Sequence, residues 1–534
     1  MRHVAIVAGM LAAAGVAAAQ ETHQHGDAGR FGTVTFANTC SAAVQAPFLR
    51  GIAQLHSFEF GPAIDAFTQV VKTDPSCGIA YWGIGLAQWT NPFSIVKRTP
   101  AQLQSGRETA VRAKTAGAKS EREQGFIDAL GVLYAAPDTM DQRTRITAYR
   151  DAMGKLSARY PEDSEAAAFY AVALAAAADP ADKTYADQLK AGAMLEKLWK
   201  AQPDHPGLAH YIIHSYDVPA LASHAADAAR RYASIAPDAP HALHMPSHTF
   251  TRLGYWEDSI ATNLLSAESA KKTGQVYEEL HAMDYAVYAY LQTGQDAKAK
   301  AMVDAAPDVA AQANKTAGAA PPVAGGYALA AIPARYVLER GDWGEAVHLG
   351  PQPGAAPYIQ AVSLFARGLG GARAGLQDGV RAIVRELQSC IDQLKATGEN
   401  YWAEQVAIQK LTVTAWIALA DGETSEALAS MREAADREDR TEKAAISPGP
   451  LAPARELLAE MLLQLKRPKE ALAEFEKTMA KEPNRFRGVA GAMAAAEQLG
   501  DRATAMRLAG RLRTIAAKGD TPGRPALETA RAMK

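Results

Sequence analysis

The sequence predicts an all-α chain built as a solenoid of antiparallel helix pairs, and three observations carry that expectation. Beyond residue 40 alanine, leucine, glutamate, lysine and arginine dominate, the residues that lose least on entering a helix. Strand-like alternation of β-branched residues is scarce. Helix-stopping features also recur at a fixed interval, with Pro203 and Pro237 lying 34 residues apart, and 534 residues exceed what one compact core needs while suiting an array that grows unit by unit.

The chain opens with MRHVAIVAGMLAAAGVAAAQ, in which Arg2 precedes an apolar stretch ending in small residues at Ala17 and Ala19. That pattern predicts a secretory leader, residues 1–19, cleaved after Ala19, and a periplasmic or secreted mature chain. Residues 20–40, with His23 and His25, read as a flexible N-terminal segment. No later apolar run reaches the roughly 18 residues that a membrane span needs. The net charge of −2, with acids and bases interleaved, offers no basic stripe for a nucleic acid. Of the three cysteines, Cys40 and Cys77 each precede the first helix of a unit and form the favoured disulfide pair, with three separate buried thiols as the alternative.

The repeat becomes specific in FLRGIAQLHSFEFGPAIDAFTQVVKTDP, residues 48–75, where Gly51, Ala63, Phe67 and Pro75 stand at the spacing of the tetratricopeptide consensus. The small residues let two helices approach, phenylalanine fills the gap to the next unit, and proline stops the second helix. Tyr81, Ile84 and Gly85 continue the pattern. Helix pairs follow at 121–136 with 143–160, 164–178 with 184–201, 206–217 with 220–236, 240–254 with 256–273, and 277–293 with 295–305. The signal returns at Arg340-Gly341-Asp342-Trp343 and again at Ala471, Phe475 and Pro483. The expected organisation is a right-handed superhelical solenoid over 41–305, an Ala/Gly/Pro-rich linker at 306–325, a second solenoid over 326–520 and a tail at 521–534.

Chemistry concentrates on one stretch. His210 and His214 recur 34 residues later as His244 and His248, within HALHMPSH, and His241 adds a third histidine there. Counted within the repeat, His210, His214 and Asp217 fall inside an arc of about 80° on the first helix, the concave side of such a superhelix. The following unit aligns Glu278, His281, Tyr285 and Tyr288 with the same face. Two His-x3-His pairs in register would supply four nitrogen ligands, His210, His214, His244 and His248, to zinc, copper or iron, with Asp217, Glu278 or His281 in support; the alternative is that these histidines hydrogen-bond to one another, to Tyr216 or to Asp217 without a metal. Pro246 falls between His244 and His248 and predicts a kink or a late helix start. Arg252 suits a ligand carboxylate or phosphate. Trp82 and Trp89 extend the wall as an aromatic strip that takes an apolar segment or is covered by residues 20–40. His56, His205, His224 and His348 read as plain structural histidines.

The stretches AHYIIHSYD at 209–217 and HALHMPSH at 241–248 resemble the bacterial exported tetratricopeptide-repeat proteins that carry both motifs. The resemblance implies protein or peptide binding on the concave surface and implies no reaction. The expectation is therefore an exported binding or scaffold protein with a histidine metal site. The alternative is a transition-metal-handling protein or a metal-dependent enzyme, with Glu278 or Asp217 as general base.

Overall fold

The small residues of the repeat act on one ring at a time. A Cβ on Gly51 would lie 2.8 Å from the Phe67 ring and one on Gly83 would lie 2.6 Å from its other edge, so the ring is gripped between consecutive first helices. Gly85, the glycine singled out by the repeat, packs instead on Leu130. The grip recurs near the C-terminus, where a Cβ on Gly491 would meet Phe475 at 2.2 Å. The computed structural model describes residues 30–94 and 96–533, so the leader, Ala19, His23 and His25 lie outside the described residues. Among these the chain is all-helical with no strand, an array in which successive helices pack on their neighbours in sequence.

Helix ends follow local chemistry. Asp163 caps Ser164–Ala177 through the amides of Glu165 and Ala166, Pro206 opens Pro206–Ser215 at its first turn, and Gly254 and Gly274, both at positive φ, close the helices before them.

Three expected boundaries shift. Residues 30–40 are docked rather than flexible, because Val34 and Phe36 are buried and Phe36 packs on Phe48, Trp82 and Phe126. The 306–325 linker is shortened by Asp296–Ala310 and Pro322–Arg340. What remains is pinned to the first half, Ala317 accepting from Gly61 and Lys315 donating to Gly274. The tail carries a helix, Pro525–Ala532, seated by buried Leu527 and Ala530. The apolar core falls into two clusters, Val34 to Phe250 with Ala319, and Trp256 to Ala530, so it divides beside Gly254 and not at the linker. Cys40 and Cys77 are joined by a disulfide.

The superhelix leaves no open wall at the histidines. Its turns close on each other through Trp256 Nε1 donating to Asn484 O (2.7 Å) and Arg485 to the Tyr288 hydroxyl (2.7 Å). The connection 440–453 runs into the interior, where Tyr285 bonds to the carbonyls of Ala445 and Ser447.

Candidate metal centre

Helix Pro206–Ser215 supplies His210 and His214, and Val276–Gln292 supplies Glu278, His281 and Tyr285. Between them the chain forms two short helices, Pro240–His244 and Pro246–Leu253. The break is the work of Pro246, which has no amide proton to continue the ladder. Past it the His248 amide bonds to Met245 O (3.1 Å), a tighter turn than the α-helix makes.

The two register-matched pairs do not make one four-nitrogen set; two triads form instead, His210/His214/His241 and His244/His248/His281, with one nitrogen from each ring lying within 4.8 Å of the others. His241 and His244 share Pro240–His244 but stand about 60° apart around its axis, and His241 turns to the earlier helix. His244, with His248 from beyond the break, joins the later one. All six rings are buried.

The second triad shows most clearly what its nitrogens can do. His244 Nδ1 lies 2.7 Å from Asn263 Oδ1, and the amide is oriented by its Nδ2 donating to Ser259 O at 2.7 Å, so His244 must donate. His248 Nδ1 donates to Asp217 Oδ2 at 2.9 Å. Both Nδ1 protons are spent, and the two Nε2 lone pairs face each other at 3.1 Å. Two ligands at bonds of about 2.0–2.1 Å on one ion stand about 2.9–3.4 Å apart for angles between 90° and tetrahedral. Without a cation or a shared proton the contact is repulsive. Burial pushes His248 down to about 4, in spite of Asp217, and His281 down to about 3. Burial and the neighbouring His281 and His248 hold His244 well below its ordinary range. Neutral imidazoles offer lone pairs.

Asp217 anchors this arrangement. Burial opposes its charge, but Lys443 at 3.4 Å and Arg252 at 2.9 Å outweigh burial and keep its carboxyl well below the usual range. Arg252 also donates to Asp217 O, so its guanidinium serves an internal carboxylate rather than a ligand. Tyr285 belongs to the site, its hydroxyl 3.4 Å from His248 Nε2. Tyr288 does not; it joins a buried network with Arg485, Glu339 and Glu456. Trp82 packs in the core against Phe126 and Phe169, and Trp89 borders a small apolar cavity of about 40 Å³, so neither forms an exposed aromatic strip.

In the first triad His210 Nδ1 donates to His56 O at 2.7 Å, which strands Nε2. His210 Nε2, His214 Nε2 and both nitrogens of His241 are buried without a hydrogen-bond partner. Each such group costs about 1–3 kcal/mol when left unmade. Glu278 Oε2 is likewise unpartnered, 3.9 Å from His241 Nδ1, while Oε1 accepts from the Ala320 amide. Phe58 packs over the triad, its ring 4.3 Å from His210 and stacked on His241 at 5.6 Å, held with φ at 58°. A cavity of about 60 Å³ lies between the triads, lined by His214, His241, His248 and His281 and closed by Phe93, Ala320 and Ala444–Ile446.

Sequence reasoning missed several residues. Asn263 and Lys443 have no repeat partner to mark them, although the length of the connection 440–453 was a signal that it does more than join helices. His56 and His205 clamp buried Glu165 at 2.9 and 3.1 Å, and Tyr211 bonds the free edge of His56. Both Glu165 oxygens are thereby used in a hydrogen-bonded brace behind His210, while His205 Nδ1 is left unbonded.

No family model and no curated protein matches the chain. Solved structures similar to it include a human IFIT1 dimer with m7Gppp-AAAA, 11% identical over 87% of this chain and 95% of that one, with a TM-score of 0.33. Another is the TPR domain of P58(IPK), 11% identical over 92% and 98%, with a TM-score of 0.21. Likeness at that level carries no ligand or partner across to this chain.

Proposed function

We propose that the chain is an exported helical-repeat binding protein that holds a transition-metal ion on His244, His248 and His281. The observation that carries this is the 3.1 Å approach of two Nε2 atoms whose Nδ1 protons are already donated to Asn263 and Asp217. Carboxylate or amide partners behind ligating histidines are the usual means of fixing the tautomer and raising ligand basicity. An all-nitrogen set favours zinc, copper(II) or iron over calcium or magnesium. The cavity suits an ion or a small ligand; a peptide would have to displace the chain's own 440–453 segment. The leader-like N-terminus and the Cys40–Cys77 disulfide support a compartment outside the cytoplasm.

The test is metal analysis of the purified chain, as isolated and after loading with zinc or copper, beside His244→Ala/His248→Ala. A tightly held ion that the variant loses is expected. A wild-type chain that retains none of these metals after gel filtration overturns the assignment, and a chain that fractionates with the cytoplasm overturns export.

A further inference from the structure

We infer that the interior is a two-metal centre, in which His210, His214 and His241 hold a second ion beside the one assigned to His244, His248 and His281. This deepens the preceding assignment and rests on it for the first ion alone. The second has its own evidence. A carbonyl can only accept, so the 2.7 Å bond from His210 Nδ1 to His56 O leaves Nε2 as a bare lone pair. His214 Nε2 and both nitrogens of His241 are buried and unbonded beside it, within reach of one ion.

The rings are held in place by stacking, His214 on Phe93 at 4.1 Å and His210 on Tyr232 at 5.1 Å. Phe93 brings no hydrogen-bond donor, and one transition ion would satisfy a lone pair from each of the three imidazoles at once, the imidazole ligands favouring it over calcium or magnesium.

The two triads share one cavity. His214 and His241 from the first and His248 and His281 from the second line it, and ring centroids across the divide are 6.2 Å apart for His214–His248 and 6.1 Å for His241–His244. Glu278 sits one helical turn before His281, with an unbonded oxygen directed at His241. That contact with His241 places it beside the second ion. At about 60 Å³ the cavity has room for one or two water-sized ligands, which would touch both metals.

Titration with zinc alone, read as bound metal per chain, is expected to saturate at two ions in the wild type and at one in His210→Ala/His214→Ala. Glu278→Gln should weaken the second ion at least tenfold and leave the first nearly unchanged. The copper(II)-loaded wild type should show the broadened electron paramagnetic resonance spectrum of two coupled spins, a readout that requires no variant to fold. Saturation at one ion that His210→Ala/His214→Ala retains, with an uncoupled copper spectrum, overturns the two-metal reading and leaves the single-ion assignment standing. Absence of any bound ion removes both.

Discussion

Asn263→Ala separates orientation of a ligand from its presence. Asn263 touches no open coordination position; it accepts the His244 Nδ1 proton at 2.7 Å in a fully buried site, with its own amide pinned to Ser259 O. Deleting it frees the His244 ring to change tautomer, so that Nε2 can carry the proton where a metal needs a lone pair. Loss of such a partner lowers metal affinity about 10–100-fold, or about 1.4–2.8 kcal/mol. The metal-free fold should also lose about 1–3 kcal/mol, because a buried N–H is left without an acceptor. Zinc affinity is measured by competition with a chromophoric chelator, and apo stability by urea unfolding in EDTA. An affinity within twofold of wild type would refute the orienting role. If His248→Ala also bound zinc normally, the triad itself would fall.

Three further outcomes test the frame that carries the site. Gly83→Ala puts a methyl 2.6 Å from the buried Phe67 ring and should cost about 1–3 kcal/mol in urea unfolding, with Phe67→Leu in the same chain recovering part of the loss. Burial raises the Glu460 carboxyl, but Arg487 and Arg373 outweigh it and hold the group at about 2. The unfolded value lies near 4.5, so this contribution, about 3 kcal/mol, is complete above that pH and fades as pH falls toward 2; Glu460→Gln should flatten that limb of the stability profile. Cys40→Ser opens a loop of sequence separation 37 and should cost up to about 4 kcal/mol, and thiol labelling of the unreduced, unfolded wild type should count one free group, Cys390.

The all-helical class and the helix pairs were legible because they depend on local periodicity. Gly51 and Phe67 work as the repeat implies, and the predicted pair 164–178 with 184–201 is observed as Ser164–Ala177 with Ala186–Ala201. What the pattern could not convey was how tightly the superhelix closes. A repeat consensus specifies contacts between neighbouring units, whereas Trp256 to Asn484 and Tyr285 to Ala445 join elements some 160 or more positions apart. Such contacts leave no periodic trace. For the same reason the concave wall read as open, while 440–453 and 317–320 fill it.

Within the site, repeat arithmetic identified the six histidines but not their grouping. His241 and His244 are three residues apart on Pro240–His244, about 60° from each other around the axis, so they turn to different neighbouring helices. Pro246 interrupts the ladder after His244 and the His248 amide bonds to Met245 O, yet His244 and His248 stay together across the break with their Nε2 atoms 3.1 Å apart. His241 therefore groups with His210 and His214, and His248 with His244 and His281. A period of 34 marks equivalent places in successive units; it does not say which neighbour each ring faces, and that is why pairs spaced by 34 resolve into two triads around one cavity.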